Sequence, residues 1–267
     1  MPADEPLLRT DGLTVDYGGV RAIDQVDIEV DAGEIVGLIG PNGAGKTTFV
    51  DAVTGFAPST GRVSFDRSDV SRVGAHRRAR RGLARTWQSL ELFSDLSVHE
   101  NALVAARRMS WRSVLADLVC PVRARAVDGA RAALEAVGIE ALGERLPREL
   151  SLGQQKLVGV ARALASAPKV ILLDEPAAGL DTTESQELGR QLRSIANDGV
   201  GLLLIDHDME LVLQVCDRLY VMDVGRIIAS GPPALIRTDR AVIAAYLGDT
   251  TELGVPTATT EGTASCG

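Results

Sequence analysis

The chain has 267 residues, enough for one large domain or two small ones, with 45% hydrophobic and 24% charged residues, a formal net charge of −8 and a sequence pI of about 5.0. That composition is ordinary for a soluble globular protein. The acidic balance excludes a general nucleic-acid binder, which needs a net basic face. No apolar run approaches the roughly 18–20 residues of a bilayer span, so a role at a membrane would need another chain to supply it. The start, MPADEPLLRT, is acidic and lacks the apolar core of a signal peptide. The cysteines are Cys120, Cys216 and Cys266, an odd set without a C-x-x-C pair. A disulfide framework or zinc site is not expected, and a reducing cytosol fits.

In chain order, LLRTDGLTVDY and AIDQVDIEV alternate as strands do and end in turn residues. GEIVGLIG predicts a short buried strand running into a glycine-rich loop. KTTFVDAVTG reads as a helix closed by Gly55, and GRVSFD as another strand. The basic run HRRARRGLAR, His76 to Arg85, reads first as a solvated helix face and second as a contact surface for a partner. From about Leu96 to Leu150 the spacing turns helical, in SVHENALVAARR, WRSVLADLV and ARAVDGARAALEAVG, with Ser97 and Glu100 as a capping box. Strands return at KVILLD, VGLLLID and DRLYVMDVGRIIASG, the last a hairpin turning near Val224–Gly225. LIRTDRAVIAAYLGD is a helical end piece. TTELGVPTATTEGTASCG has no periodicity and is expected to be a disordered tail. Parallel strands with crossover helices imply an α/β core interrupted by a helical insertion.

The motif GPNGAGKTT fits G-x-x-x-x-G-K-[ST], with Gly40, Gly45, Lys46 and Thr47 in the fixed positions. Such a loop turns successive backbone N–H groups inward around phosphate oxygens. Lys46 supplies a point charge at the β- and γ-phosphates, and Thr47 a hydroxyl ligand for Mg²⁺. Lysine occurs only at 46, 156 and 169 against a large excess of arginine, yet it is kept here. KVILLDEP puts Asp174 and Glu175 at the end of an apolar strand, where an Asp holds Mg²⁺ and a Glu can take a proton from attacking water. In ELSLGQQKLVGVARAL, Ser151 and Gln154 form a capping box at a helix start whose positive dipole end suits an anion. Asp181, followed by Glu184, is a good N-cap for TTESQELGRQLRSIA. His207 lies just past an apolar strand. A lone His is more often a local hydrogen-bonder, but strand ends of such a sheet line the nucleotide crevice.

The ordered set of phosphate loop, Gln88 in ARTWQSLELF, LSLGQ, ILLDEP, GLD and His207 resembles the nucleotide-binding subunit of an ABC transporter, over about residues 7 to 248. The resemblance implies a phosphate-loop NTPase ABC ATPase core: a mixed sheet flanked by helices, an N-terminal antiparallel β region, and a helical subdomain insertion. It implies one domain over 1–248, with the core at about 1–90 and 165–248, the helical subdomain at about 91–164, and the tail at 249–267. GPNGAGKTTFVDAVTGF, RTWQSLELF, DEPAAGLD and AAYLGD are similar to the ATPase subunits of branched-chain amino-acid importers, whose relatives handle urea or other small polar solutes. The lipopolysaccharide-export ATPase is the runner-up, sharing YLG and much of the helical region. The RT-aromatic-Q run favours the importer.

The resemblance also implies site roles. Gly40, Pro41, Asn42, Gly43, Ala44, Gly45, Lys46, Thr47 and Thr48 would hold ATP. Thr47, Gln88 and Asp174 would hold Mg²⁺. Glu175 would be general base, His207 would hold the γ-phosphate and attacking water, and Gln88 would link the metal to the helical region. Tyr17 sits where the family stacks an aromatic on adenine, although a strand aromatic by itself more often packs into the core. The subunits pair head to tail, so Ser151, Gly153, Gln154 and Asp181 of one chain would face ATP on the other. The commonest signature is L-S-G-G-Q. This chain has Leu152 at the third place, as the amino-acid importer branch often carries a bulky residue there. The implied partners are a second ATPase subunit (homo- or heterodimer), polytopic membrane permease subunits and a separate solute-binding protein, with no nucleic acid, at the cytoplasmic face of the cell membrane. Two rival classes stand beside this: a regulatory ATP-binding module without turnover, and a soluble ABC ATPase of DNA repair or translation. The single cassette without a heptad run disfavours the latter.

Overall fold

The computed structural model describes residues 5–87, 92–106 and 122–247. Two sheets share the chain. The first is antiparallel: β1 (Leu8–Tyr17) pairs with β2 (Val20–Val26), β3 (Glu29–Val30) and β5 (Thr60–Phe65), and β5 with β6 (Ser68–Asp69). The second contains β4 (Ile35–Ile39), β7 (Leu83–Arg85), β8 (Val170–Asp174), β9 (Gly201–Ile205), β10 (Arg218–Asp223) and β11 (Arg226–Gly231). Its order is β11-β10-β4-β9-β8-β7, parallel throughout except for β11, which returns antiparallel on the edge.

Nine helices lie among the described residues: α1 (Lys46–Thr54), α2 (Ala75–Arg80), α3 (Val98–Ala106), α4 (Val122–Ala136), α5 (Leu152–Ala165), α6 (Thr182–Asn197), α7 (Met209–Val215), α8 (Pro233–Ile236) and α9 (Arg240–Leu247). Strands β4, β8 and β9 are buried at every position, as strands covered on both faces must be. Successive side chains point to opposite faces, so each run fills two cores. Val36, Leu38, Val170, Leu172, Leu203 and Ile205 pack with Phe49 and Val53 of α1 and with the antiparallel sheet. Ile35, Ile39, Ile171, Leu173, Leu202 and Leu204 pack with residues of α3 to α7. The phosphate-loop helix is therefore sandwiched between the sheets, and the helical region covers the other face.

Several local expectations hold in the fold. Ser97 and Glu100 cap α3 reciprocally, with Ser97 N–H donating to Glu100 Oε2 at 2.8 Å and Glu100 N–H to Ser97 Oγ at 3.2 Å. The hairpin turns at Val224 and Gly225, both at positive φ of 42° and 75°. AIDQVDIEV, expected as one strand, is two. Gln25 sits at φ 52°, and the Thr10 hydroxyl fills the break by accepting from Ile28 N–H at 2.9 Å and donating to the Val26 carbonyl at 3.1 Å. The C-terminal helical piece also divides, because Asp239 accepts from the N–H groups of Ala241 and Val242 and so starts a new helix. Helix α5 packs on both α3 and α4. WRSVLADLV and the tail from 249 lie outside the described residues. No described helix is long and apolar enough to cross a membrane.

The basic run behaves differently from a uniformly solvated face. It forms α2 and the edge strand β7, and Arg78 turns inward, 3% exposed. Its guanidinium donates to the carbonyls of Ala52 and Val53 at 2.9 and 2.6 Å, of Val73 at 2.7 Å and of Ser71 at 3.0 Å. It thus satisfies the end of α1, where carbonyls have no partner within the helix. Burial lowers its pKa from the usual arginine value. Replacing it with methionine keeps the stem but takes this donor from the carbonyls of Val53, Val73 and Ser71, while that of Ala52 keeps the Gly55 N–H. Arg78→Met should lower unfolding free energy by about 3 kcal/mol, the scale of a buried group losing charged hydrogen bonds. Urea unfolding measures this, and a loss below about 0.5 kcal/mol, the range of ordinary surface changes, would show that α1 does not need the cap.

Candidate active site

The loop between β4 and α1 is shaped by close approach. Gly40 has φ 149°, and a Cβ there would lie 2.0 Å from the Met222 carbonyl oxygen. Gly45 has φ 108°, and its Cβ would lie 2.8 Å from the Ala22 oxygen. Only glycine fits both places. The hairpin holds the loop from outside, Gly225 N–H donating to Ala44 O at 2.9 Å. Lys46 Nζ donates to the carbonyls of Gly40 at 2.6 Å and Pro41 at 3.0 Å, so its charge lies within the loop. Ala44 is buried, Pro41 and Thr48 are partly buried, and Asn42, Gly43 and Thr47 face solvent at the start of α1.

Two carboxylates are buried at the C-terminal ends of β8 and β9. Asp174 is 3% exposed. Burial raises its pKa above the ordinary carboxylate value, and Arg85 opposes the rise. Arg85, on β7, donates to Asp174 Oδ2 at 3.1 Å and to the Asp51 carboxylate of α1. Its side chain is 7% exposed, and its guanidinium lies 4.3 Å from the centre of the Trp87 ring. Trp87 meets Phe56 edge-on at 5.3 Å. Asp206, just past β9, is also raised by burial, which its backbone donors oppose. It accepts from Ala177 N–H at 2.8 Å and Asp208 N–H at 3.0 Å and lies 3.7 Å from His207 Nδ1. Asp206 therefore joins the loop after β8 to the loop that carries His207. Glu175, next to Asp174, has φ 48°, a left-handed conformation that costs on the order of 1–3 kcal/mol for a residue with a Cβ. Its N–H donates to the Ile205 carbonyl at 2.7 Å.

The end of α5 has the capping box expected for it. Ser151 Oγ accepts from Gln154 N–H at 3.2 Å, and Gln154 Oε1 accepts from Ser151 N–H at 3.1 Å. Gln154 is thus committed to the cap. Asp181 caps α6, accepting from Glu184 N–H at 2.8 Å. Glu184 Oε1 in turn accepts from the Ser151 hydroxyl at 3.0 Å, and a Cβ on Gly153 would lie 2.8 Å from the same oxygen. Leu152 is exposed beside Gly179.

The topology brings the phosphate loop, Asp174, Glu175 and His207 to one edge, the C-terminal ends of neighbouring parallel strands β4, β9 and β8. Tyr17 ends β1 and is 47% exposed, so its ring is a surface platform and not a core residue. Ser151 and Gly153 belong to a different group at the start of α6, Ser151 bonded to Glu184 and Gly153 packed against the same side chain. Gln88 lies outside the described residues, as do Cys120 and Cys266. Cys216 is buried, and its thiol is pushed up to about 12. Sequence reading passed over Asp51, Arg85 and Asp206. Asp206 had a signal, the acids flanking His207 in DHD; Arg85 lay hidden in a run of arginines. A cavity of about 660 Å³ opens between α5 and β7, lined by Phe56, His76, Arg85, Trp87, Lys156 and Arg162 among others.

Residues 23–178 match the family model for the ABC transporter. The chain belongs to the ABC transporter family, as an ATP-binding cassette. It is 37% identical over 252 residues to the high-affinity branched-chain amino acid transport ATP-binding protein LivG of Salmonella typhimurium, covering 92% of this chain and 99% of that protein. It is 38% identical over 234 residues to the lipopolysaccharide export system ATP-binding protein LptB of Escherichia coli, covering 87% and 93%. A solved ABC transporter cassette, MJ1267 in its ADP conformation, superposes with a TM-score of 0.81 at 32% identity, covering 91% of this chain and 99% of that one. Residues 226–251 match a second model, the branched-chain amino acid ATP-binding cassette transporter. ABC cassettes are nucleotide-binding ATPases, and this chain is one of them.

Arg85 holds two carboxylates that otherwise repel, and one of them, Asp174, is shut off from solvent. Arg85→Met should destabilise this cassette by about 3–5 kcal/mol, because it leaves a buried charge uncompensated. Arg85→Lys should recover only part, since a single ammonium does not reproduce a guanidinium fork. Denaturant unfolding of the two variants checks the order. Equal stability of Arg85→Met and wild type would mean that Asp174 is neutral without its partner.

Proposed function

We propose that the chain is the ATP-hydrolysing subunit of an importer for branched-chain amino acids or a similar small polar solute, working through partner membrane subunits. One observation carries the mechanism: the phosphate loop, Asp174, Glu175 and His207 share one sheet edge, while the capped end of α5 sits apart on the start of α6. Such a pair of half-sites is completed by a second chain.

ATP lies on the phosphate loop, with the backbone from Gly40 to Thr48 and the Lys46 ammonium around its phosphates and the exposed Tyr17 ring against adenine. Thr47 and Asp174 offer hard oxygen donors that suit Mg²⁺, and with Gln88 they would hold it. When bound, Mg²⁺ neutralises charge on the phosphate oxygens. Glu175 takes the proton from a water that attacks the γ-phosphate in line, and His207 holds that water and the γ-phosphate. Ser151 and the Gly153 N–H of the opposite chain contact the γ-phosphate, and Asp181 lies at the same seam. Closed and open dimers then differ in affinity for ATP, and that difference is what can drive a partner to change shape.

The chain would sit at the cytoplasmic face of the membrane, held by the permease subunits, with a separate solute-binding protein delivering cargo. The cavity between α5 and β7, which His76 and Arg85 of the basic run help to line, is the place proposed for a coupling helix of the permease. The similarity to LivG and the match at 226–251 favour import. The similarity to LptB keeps lipopolysaccharide export as the second reading. Chains that co-purify with the tagged protein from membranes distinguish them: an amino-acid permease pair supports import, whereas a lipopolysaccharide-export complex overturns it.

Glu175→Gln should cut turnover by about 10²–10⁴-fold, the range for a general base, while ATP still binds and dimers accumulate. Near-normal hydrolysis would remove Glu175 from that role. Ser151→Arg should abolish hydrolysis and leave ATP binding by single chains intact. Loss of that binding would mean that the α5 end serves its own chain's nucleotide.

A further inference from the structure

The second turn of α5 carries Lys156, only 8% exposed, and its Nζ donates to the backbone carbonyl of Glu175 at 3.2 Å. A buried ammonium needs charge or acceptors around it. Burial lowers its proton affinity, and nearby Asp206 and Glu175 oppose this. The acceptor is an informative one. Glu175 is held at φ 48° with a proline after it, a backbone setting that a side chain does not adopt unaided. Three contacts fix that setting: Glu175 N–H on the Ile205 carbonyl at 2.7 Å, Ala178 N–H on the Glu175 carbonyl at 3.2 Å, and Lys156 on the same carbonyl. The first two come from the sheet and the local turn. Only the third comes from α5, whose tip is Ser151.

We infer that Lys156 is a positioning residue for hydrolysis: it fixes the peptide from which the Glu175 side chain departs, and makes that peptide follow α5. An α-helix is stiff, so a shift at Ser151 is carried through the next turn to Lys156. Engagement of the α5 tip by nucleotide on a second chain and alignment of the general base would then be one event. Lys156 also lines the cavity between α5 and β7, so occupancy of that cavity bears on the same peptide. The inference rests on Glu175 being the general base.

The test is a double-mutant cycle on the full chain, with kcat and KM for ATP measured for Lys156→Met, Lys156→Arg, Glu175→Gln and the Lys156→Met/Glu175→Gln pair. Lys156→Met should lower kcat about 10- to 100-fold, as expected for a displaced reactive group, with KM changed less than about threefold. Lys156→Arg, which can donate to the same carbonyl, should recover most of kcat. The pair should be no slower than Glu175→Gln alone, because a base that is absent cannot be misplaced. Unchanged kcat in Lys156→Met, or the same loss again on top of Glu175→Gln, would overturn the inference while leaving the base in place. Full turnover by Glu175→Gln would instead remove the base itself, a distinct result. If Lys156→Met does not fold, Lys156→Gln, which stays polar but ends one bond short of the Glu175 carbonyl, takes its place in the cycle with the same criteria.

Discussion

Burying the carboxylates of Asp174 and Asp206 at the end of a parallel sheet is the demanding step in this structure, and the surrounding geometry is a response to it. An isolated buried carboxylate is far too costly to keep ionised, so each must be paired or hydrogen-bonded. Asp174 is paired by Arg85, which reaches it from β7 and ties it to Asp51 of the phosphate-loop helix. Asp206 is satisfied mainly by backbone N–H groups, from Ala177 and Asp208. These two solutions do different things. The first joins three elements through side chains and fixes α1 against the sheet. The second fixes two loops against each other, and those loops carry Glu175 and His207. The order at the sheet edge is thus a consequence of where charge had to be neutralised.

Much of this was legible in the sequence because the relevant signals are local. A glycine-rich loop between an apolar strand and a helix, acids at a strand end, the capping boxes at Ser97 and Ser151 and the N-cap at Asp181 depend on spacing over a few residues. So does the two-residue turn at Val224–Gly225. What escaped depends on distant partners. Arg78 and Arg85 stand in one basic run and look alike, yet one ends α1 and the other bridges two acids, while Arg77, Arg80 and Arg81 of the same run face water. No periodicity separates them. The break in AIDQVDIEV is likewise invisible locally, because the hydroxyl that fills it belongs to Thr10, on another strand. Tyr17 shows the same limit in reverse, since strand pattern favours a core role and only the fold leaves its ring on the surface.

Helix α5 connects the parts that the sheet edge does not. One end is capped by its own Ser151 and Gln154, and its middle is buried under the sheet through Val158, Val160 and Ala161. Its flank bounds the cavity beside β7. An element packed this tightly moves as a unit or not at all. The Ser151 hydroxyl has one proton, and here it is given to Glu184 at the start of α6. Any anion brought to that hydroxyl must displace the Glu184 carboxylate, because two negative groups cannot share one donor without repulsion. The anion then changes two helix ends together: the tip of α5 and the capping box of α6 that Glu184 completes. Since α6 begins directly after the loop that starts at Glu175, a contact at Ser151 reaches the sheet edge along two independent routes, one through the helix axis and one through the cap.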